Sequence, residues 1–558
     1  MASSKNGKYK KIKTIKKSKT VKYTKGSLKS NKKYWFKIRA YKLNGKKKVY
    51  GKFSIKKSAI TKKSTVTSPK GYDGKIQVVH VNDMHTYLDD TGKNMGYAKA
   101  ASFYNKAKAE NENTIFLDAG DCFFGTANGT VDQGEWMVPI VNTMGITAMV
   151  TGNHEYTYGT AQLLKLTNLL DHPTLCANIV YRENEPKAGE QPFASYEIKT
   201  LPNGMKIGII GLTTPTSESM GAADIMYVDA VKRAKETVAE LKGKVDMTIP
   251  LCHIGHNDSI MNTTMIADEV EGLDLIIDGH SHLALQNGDR DNKTNTLIAQ
   301  TGEYSENIGL VTVDVKDDKM KDAKAQLYSA SEVSEMGISP KAQTQNLIDK
   351  FNAYSKTFFA EIVGSTEVEL NGASADIRTK ETNMGNLYAD VMRAETGADI
   401  GLFKVGPIST VVTPIGDITK KDLANMTRVD SLIIKKSVKG QDIIDFLNYS
   451  LASWPSASGS FQQVSGITFK IDENAVPGES KKIFDIKVNG SEIDLEKEYS
   501  VATILGSNEE NGMREGTLIQ SYDFSNTIMN NYIQSLPDKK ITTNEAYIDG
   551  RISTGVKP

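Results

Sequence analysis

The chain has 558 residues, 39% apolar and 24% charged, with 69 Lys and Arg against 67 Asp and Glu. That length predicts roughly three to four domains of ~150 residues, and no apolar run approaches the ~18 residues of a membrane span. The three cysteines, Cys122, Cys176 and Cys252, make no disulfide framework and are expected as small buried residues.

The near-neutral charge averages two unlike parts. Residues 1–70 hold 25 Lys and Arg and no Asp or Glu, leaving 44 basic against 67 acidic residues in the remainder. Residues 1–65 alternate in strand fashion, as in Tyr34-Trp35-Phe36-Lys37-Ile38-Arg39-Ala40-Tyr41 and Val49-Tyr50-Gly51-Lys52-Phe53-Ser54. With the Asn44-Gly45 turn between them, this segment resembles the second half of a fibronectin type III domain. The front strands of such a sandwich, including its usual core Trp, are not in the chain. The expectation is therefore a chain that begins inside a domain, with an upstream export signal lost. No signal peptide opens the sequence. An extracellular or cell-surface location is expected. Lysines alternating on strands usually form a solvated sheet face. Contact with an anionic cell wall or surface is the alternative for them, and no nucleic acid partner is expected.

Residues 66–74 form a Ser/Thr/Pro/Gly linker. From 75 to 335, five apolar, mostly β-branched runs predict buried strands: Ile76–Val81, Thr114–Leu117, Ala148–Val150, Met247–Leu251 and Leu273–Ile277. Each is followed by a short polar motif: Asp83-Met84-His85, Gly120-Asp121, Gly152-Asn153-His154-Glu155, His253, and Gly279-His280-Ser281-His282. Five of the eight histidines lie in this series. Open α/β sheets gather ligands at the carboxyl ends of their strands, so one sheet edge is expected to collect these side chains. Residues 336–360 have helical spacing and predict a connecting helix. Residues 361–558 predict a further α+β domain.

Carboxylates, amide oxygens and imidazoles are ligands for Zn²⁺, Mn²⁺ and similar dications. Two such ions ~3.5–4 Å apart can clamp the attacking and leaving oxygens of a phosphoryl displacement. Asp121 is the candidate bridge between them. In Asp83-x-His85, alternate residues at a strand end would point the same way toward one metal. Gly279-His280-Ser281-His282 would place one His on each metal through a tight turn. Any one motif is weak, but the ordered set is specific.

The series resembles the calcineurin-like metallophosphoesterase superfamily. Residues 75–550 are similar to the secreted bacterial 5′-nucleotidase/UDP-sugar hydrolase/2′,3′-cyclic phosphodiesterase family. In the second domain, the stretches 378–392, 398–400, 418–423 and 463–466 carry the likeness. The resemblance implies an α/β fold, with a metallophosphoesterase sandwich domain followed by an α+β substrate-binding domain, and a short β N-terminal segment. It implies a metal-dependent phosphoric ester hydrolase of nucleotide catabolism, with metal-hydroxide attack at phosphorus and a small phosphate ester as substrate. Two divalent ions (Zn, Mn, Co or Ca) are its cofactors, and a monomer is expected. By that likeness Asp83, His85 and His282 hold one metal, Asn153, His253 and His280 hold the other, and Asp121 bridges. His154 stands beside the leaving oxygen. Arg378, Asn383 and Lys404 contact substrate. His256 is near the site without coordinating. Two alternatives remain open: the same chemistry on non-nucleotide phosphates or cyclic phosphodiesters, and a non-catalytic surface protein that keeps metals for structure or binding.

Four departures from the family pattern stand out. Thr157 takes the place of an Asp that orients the catalytic His. Residues 404–409, with Lys404 first, replace a pattern containing a phosphate-binding Arg. Arg428-Val429-Asp430-Ser431 and residues 504–512 replace two further segments. No aromatic residue falls at the positions that stack on a base, and the nearest candidates are Trp454 and Phe461.

Overall fold

The structure is a computed structural model that describes residues 2, 5, 7–15, 32–45, 47–61, 71–408, 411–427, 430–479, 481–507 and 511–558. Ser409, Arg428, Val429, Asn508, Glu509, Glu510 and linker positions 66–70 lie outside the described residues. The chain divides into two units, one of residues 1–71 with 202–204, the other holding the rest.

In the first unit, Lys33–Phe36 pairs antiparallel with Lys57–Ile60, and Tyr41–Asn44 with Lys47–Tyr50. Several of its described cations lie over its own rings. The Arg39 guanidinium is 3.9 Å from the Tyr50 ring centre and 4.5 Å from that of Phe53. Lys37 lies 4.0 Å from the Phe53 ring centre.

The second unit opens with two six-stranded sheets. One runs in the order Lys319–Ser329, Asn307–Lys316, Gly74–Val81, Thr114–Asp118, Ala148–Val150, Thr174–Leu175. The other runs Tyr196–Thr200, Lys206–Thr213, Met247–His253, Leu275–Ile277, Leu297–Ala299, Asp289–Arg290. The strand period of two sets which side chains meet. Ile76, Val78, Ile115 and Leu117 of the first sheet share a core with Ile207, Ile249, Leu251 and Ile277 of the second. Val79, Val81 and Phe116 point the other way, toward Ala98, Ala101 and Phe103 of helix Gly96–Glu110 and Ile348 and Phe351 of helix Ala342–Phe359. Ile210, Leu212 and Ile276 pack under helices Ala230–Leu241 and Thr263–Glu269. Helices thus cover both outer faces of a β-sandwich.

The neighbours Gly74–Val81, Thr114–Asp118 and Ala148–Val150 are parallel, as are Met247–His253 and Leu275–Ile277. Their carboxyl ends therefore emerge together within each sheet.

Beyond helix Ala342–Phe359, a five-stranded mixed sheet runs Gln462–Ser465, Ile400–Lys404, Glu498–Ile504, Leu432–Lys439, Thr517–Phe524. Its buried residues join one large core with helix Asn383–Thr396. Leu432, Ile434, Leu505 and Phe524 instead join the core that contains Phe124 and Tyr158 of the sandwich domain. The Tyr158 and Phe524 rings lie 4.9 Å apart. The two domains are therefore docked through apolar surface.

Candidate metal centre

The loops after the strands interlock before any side chain is considered. Asp83 N–H donates to Gly120 O at 2.9 Å, and His85 N–H to Asp121 O at 2.8 Å. Asp83, His85 and Asp121 have φ of 48°, 45° and 57°. This corrects the strand-end expectation for Asp83 and His85. The strand stops at Val81, and the pair is aimed by a left-handed turn rather than by strand alternation. Non-glycine residues hold such backbone only where the surroundings over-determine it. Gly152 is required by close approach, since a Cβ there would lie 2.1 Å from Asp121 Oδ1.

The side chains converge around Asp121. Its Oδ2 is 3.1 Å from His253 Nε2 and 3.7 Å from His85 Nε2, and its Oδ1 accepts the His154 N–H at 2.8 Å. Asp83 Oδ1 lies 3.2 Å from His282 Nε2 and 3.7 Å from His85 Nε2. Three groups gather ligand atoms within 4.8 Å: Asp83, His85 and His282; His85, Asp121 and His154; and Asp83, Asp121 and His253. Asn153 joins through Oδ1, 3.2 Å from His253 Nε2. The His280 ring stands 5.2 Å from that of His253, with its backbone N–H on Asp83 Oδ2 at 2.9 Å. Ser281 N–H bonds back to Gly279 O at 3.0 Å, closing the turn that separates the two histidines.

Tautomers follow from the partners. His85 Nδ1 faces Phe124 O at 2.9 Å, and His253 Nδ1 faces Ala119 O at 2.7 Å. A carbonyl only accepts, so both Nδ1 atoms carry hydrogen and, in neutral rings, Nε2 offers a lone pair to the cluster. Burial lowers the affinity of His253 for a proton, but Asp121 and Asp83 outweigh it and push its pKa up to about 10. Burial opposes ionisation of Asp121, yet His253 and His154 hold its carboxyl far below the usual range. Asp83 is lowered likewise, by His253 and His282 against its burial. Burial keeps His154 below its ordinary value. Asp83 Oδ1 is buried without a hydrogen-bond partner. Two buried carboxylates, an orphan oxygen among them, and convergent imidazole nitrogens form a donor set that fits divalent cations.

Three supporting residues have no assigned role in the sequence reading. The buried Glu155 carboxylate accepts backbone N–H groups of Asp121 (2.7 Å), Cys122 (2.9 Å), Phe123 (3.1 Å) and Gly152 (2.7 Å), fixing both ligand loops. Asp278 accepts from Ile254 N at 3.1 Å and Thr263 Oγ1 at 3.1 Å, anchoring the segment after His253. Glu303 pairs with His282 Nδ1. Glu155 sits inside the motif Gly152-Asn153-His154-Glu155 and Asp278 directly precedes Gly279-His280-Ser281-His282, but nothing local marks Glu303. His256 turns to Asp289, at 2.9 Å.

The second-domain candidates are spread among other tasks. Asn383 donates to Glu369 O at 2.7 Å and accepts Asn371 N–H at 2.9 Å, so its amide serves the fold. Arg378 is half-buried after the short helix Ser374–Ile377, with its Nε buried and unpartnered. Lys404 ends the strand Ile400–Lys404 and is half-buried. Phe461 is 2% exposed, within the second-domain core, and the Trp454 indole N–H donates to Thr379 O at 3.2 Å.

The calcineurin-like phosphoesterase family model matches residues 76–284, and the 5′-nucleotidase C-terminal domain model matches residues 362–511. This chain joins a calcineurin-like phosphoesterase domain to a 5′-nucleotidase C-terminal domain. It is 30% identical over 480 residues to the trifunctional nucleotide phosphoesterase protein YfkN of Bacillus subtilis, covering 78% of this chain and 32% of that one. The chain thus spans about a third of the length of that relative. It is 24% identical over 481 residues to protein UshA of Escherichia coli, covering 77% and 84% of the two chains. The crystal structure of the 5′-nucleotidase precursor from Thermus thermophilus superposes with a TM-score of 0.57 at 23% identity, over 87% of this chain and all of that one. That likeness concerns the fold.

Proposed function

We propose that the protein is a metal-dependent phosphoesterase that hydrolyses nucleotides or related phosphate esters. The observation that carries this reading is the meeting of Asp121 with His253, His85 and His154 in one buried cluster. In this reading Asp83, His85, His282 and Asp121 would hold one divalent ion, and Asn153, His253, His280 and Asp121 would hold a second. When bound, the ions supply charge against the phosphoryl oxygens and acidify a water. The chain's own residues do the rest. Glu155 keeps the Asp121 loop rigid, so the bridging carboxylate pays no reorganisation on reaction. The ring of His154 stands 4.8 Å from that of His85, beside the cluster, where it would assist an ester leaving oxygen by hydrogen bonding. Arg378, with an unpartnered Nε, and Lys404 offer positive charge from the second domain.

One observation favours weak selectivity for the base. Phe461 is core, and Trp454 is held by its N–H on Thr379 O and packs against that core, which argues against either as a stacking clamp worth ~1–3 kcal/mol per base. AMP, GMP, UMP and ribose 5-phosphate are expected to show kcat/KM values within about one order of magnitude, or ~1.4 kcal/mol. A preference for AMP over ribose 5-phosphate beyond about 100-fold would contradict this. Cyclic phosphodiesters and non-nucleotide phosphates belong in the same assay.

We also propose a fibronectin type III-like origin for the first unit and an extracellular setting, resting on the alternating sequence of residues 1–65 and its two antiparallel strand pairs. No helix among the described residues is long and apolar enough to cross a membrane. Its cation-covered rings suit contact with an anionic wall polymer. Salt-sensitive retention on such a polymer, lost on deleting residues 1–65, is the check.

A further inference from the structure

The turn 303–306 is built at a cost that its local structure does not explain. Tyr304 and Ser305 have φ of 57° and 59°, two left-handed non-glycine residues in succession. The turn is held by many bonds. Tyr304 N–H donates to Asp83 O at 2.7 Å, Met95 N–H to Ser305 O at 2.9 Å, Gly96 N–H to Ser305 Oγ at 3.1 Å, and Asn94 Nδ2 to Tyr304 O at 2.7 Å. One of these anchors is the backbone of Asp83 itself, so the turn and the ligand loop move as one piece.

What the turn presents is Glu303. Its neighbour Glu306 is taken by Lys93 Nζ at 2.8 Å. Glu303 instead pairs with Nδ1 of His282, whose Nε2 faces Asp83 Oδ1 at 3.2 Å. The two partners are about a third exposed, at 34% and 32%, and an ion pair that open to water adds little to stability. His85 and His253 give their Nδ1 atoms to backbone carbonyls. His282 alone among these three gives it to a carboxylate, a partner that fixes the tautomer and also raises the basicity of Nε2.

We infer that Glu303 is a positioning residue for His282, aimed by the strained 303–306 turn so that His282 Nε2 is held as a strong ligand for the divalent ion nearest Asp83 and His85. This rests on the two-ion reading of the site. The other ion position, around His253 and Asn153, shares Asp121 with this one but not His282, so Glu303 acts on it at most indirectly.

The test is calorimetric titration of metal-free full-length protein with Mn²⁺, for wild type, Glu303→Gln and Glu303→Ala, with melting of each metal-free protein alongside. The expected result is two sites in wild type and one site weakened about 10–100-fold in Glu303→Ala, the other unchanged. Glu303→Gln, which keeps an acceptor oxygen without the charge, is expected between them, with metal-free melting equal to wild type. Two wild-type sites and superimposable isotherms for both variants would overturn the inference alone. Equal weakening of both sites, or a lowered melting temperature of metal-free Glu303→Gln, would also overturn it in favour of a structural role. A wild type that takes up no Mn²⁺ would overturn the two-ion reading and this inference with it.

Discussion

The backbone N–H of His154 donates to Oδ1 of Asp121 at 2.8 Å. The residue assigned to the leaving oxygen is thereby fixed to the residue assigned to join two cations. Glu155, next in the chain, receives the Asp121 N–H in return, so the two loops hold each other in register.

His154 opens a single 3₁₀ turn, His154–Tyr156, and Thr157 closes it with its N–H on His154 O at 3.0 Å. Residues three apart eclipse in such a turn, which puts Thr157 on the face of His154. The Thr157 hydroxyl is buried and has no hydrogen-bond partner, and burial holds His154 toward its neutral form. Thr157→Asp is expected to restore a carboxylate that favours the protonated imidazole and to raise kcat by ~10-fold. Steady-state kinetics on a variant with wild-type circular dichroism decide it. An unchanged or lower kcat would remove Thr157 from this role.

The proposed role of Arg378 is to offer charge to the substrate from the second domain. Arg378→Ala is expected to raise KM for charged esters several-fold with kcat little changed, the pattern of lost uniform binding. Indistinguishable KM values would show that this guanidinium does not meet substrate.

Asp430 gives a pH dependence to stability. It lies in the docked region beside Tyr158 and accepts Asn526 N–H at 2.8 Å and Ser525 Oγ–H at 3.1 Å. Burial pushes its pKa up to about 6 from an ordinary 3.8. A carboxyl that binds its proton more tightly folded than unfolded is without penalty below pH ~4, and its penalty grows until pH ~6. Asp430→Asn is therefore expected to stabilise the protein by up to ~3 kcal/mol above pH 7 and to leave it unchanged near pH 4. Urea unfolding at the two pH values checks this, and an equal effect at both would contradict it.

Much of the metal centre was legible because its residues follow apolar β-branched runs that leave little choice but buried strands. Ile76–Val81 and Met247–Leu251 fix where Asp83 and His253 must emerge. What local pattern cannot carry is the geometry of the turns. Asp83 and His85 were expected on strand alternation, but lie in left-handed backbone that only the packed loops of Gly120 and Tyr304 enforce. The carboxylate of Glu155 was visible in its motif, yet its four backbone donors come from two loops brought together by the fold. Glu303 meets His282 solely through tertiary structure. Asn383 illustrates the reverse: a motif residue whose amide is consumed by neighbouring backbone, a task that spacing does not distinguish from binding substrate.

The central claim is that turnover requires cations held around Asp121. The most direct measurement is p-nitrophenyl phosphate hydrolysis by wild type and Asp121→Ala, each stripped with EDTA and then reloaded with Mn²⁺, Zn²⁺, Co²⁺ or Ca²⁺. Stripped wild type is expected to show no turnover and to recover with at least one of these ions, and Asp121→Ala to recover with none. Equal rates for stripped and reloaded wild type, or full activity in Asp121→Ala, would contradict it.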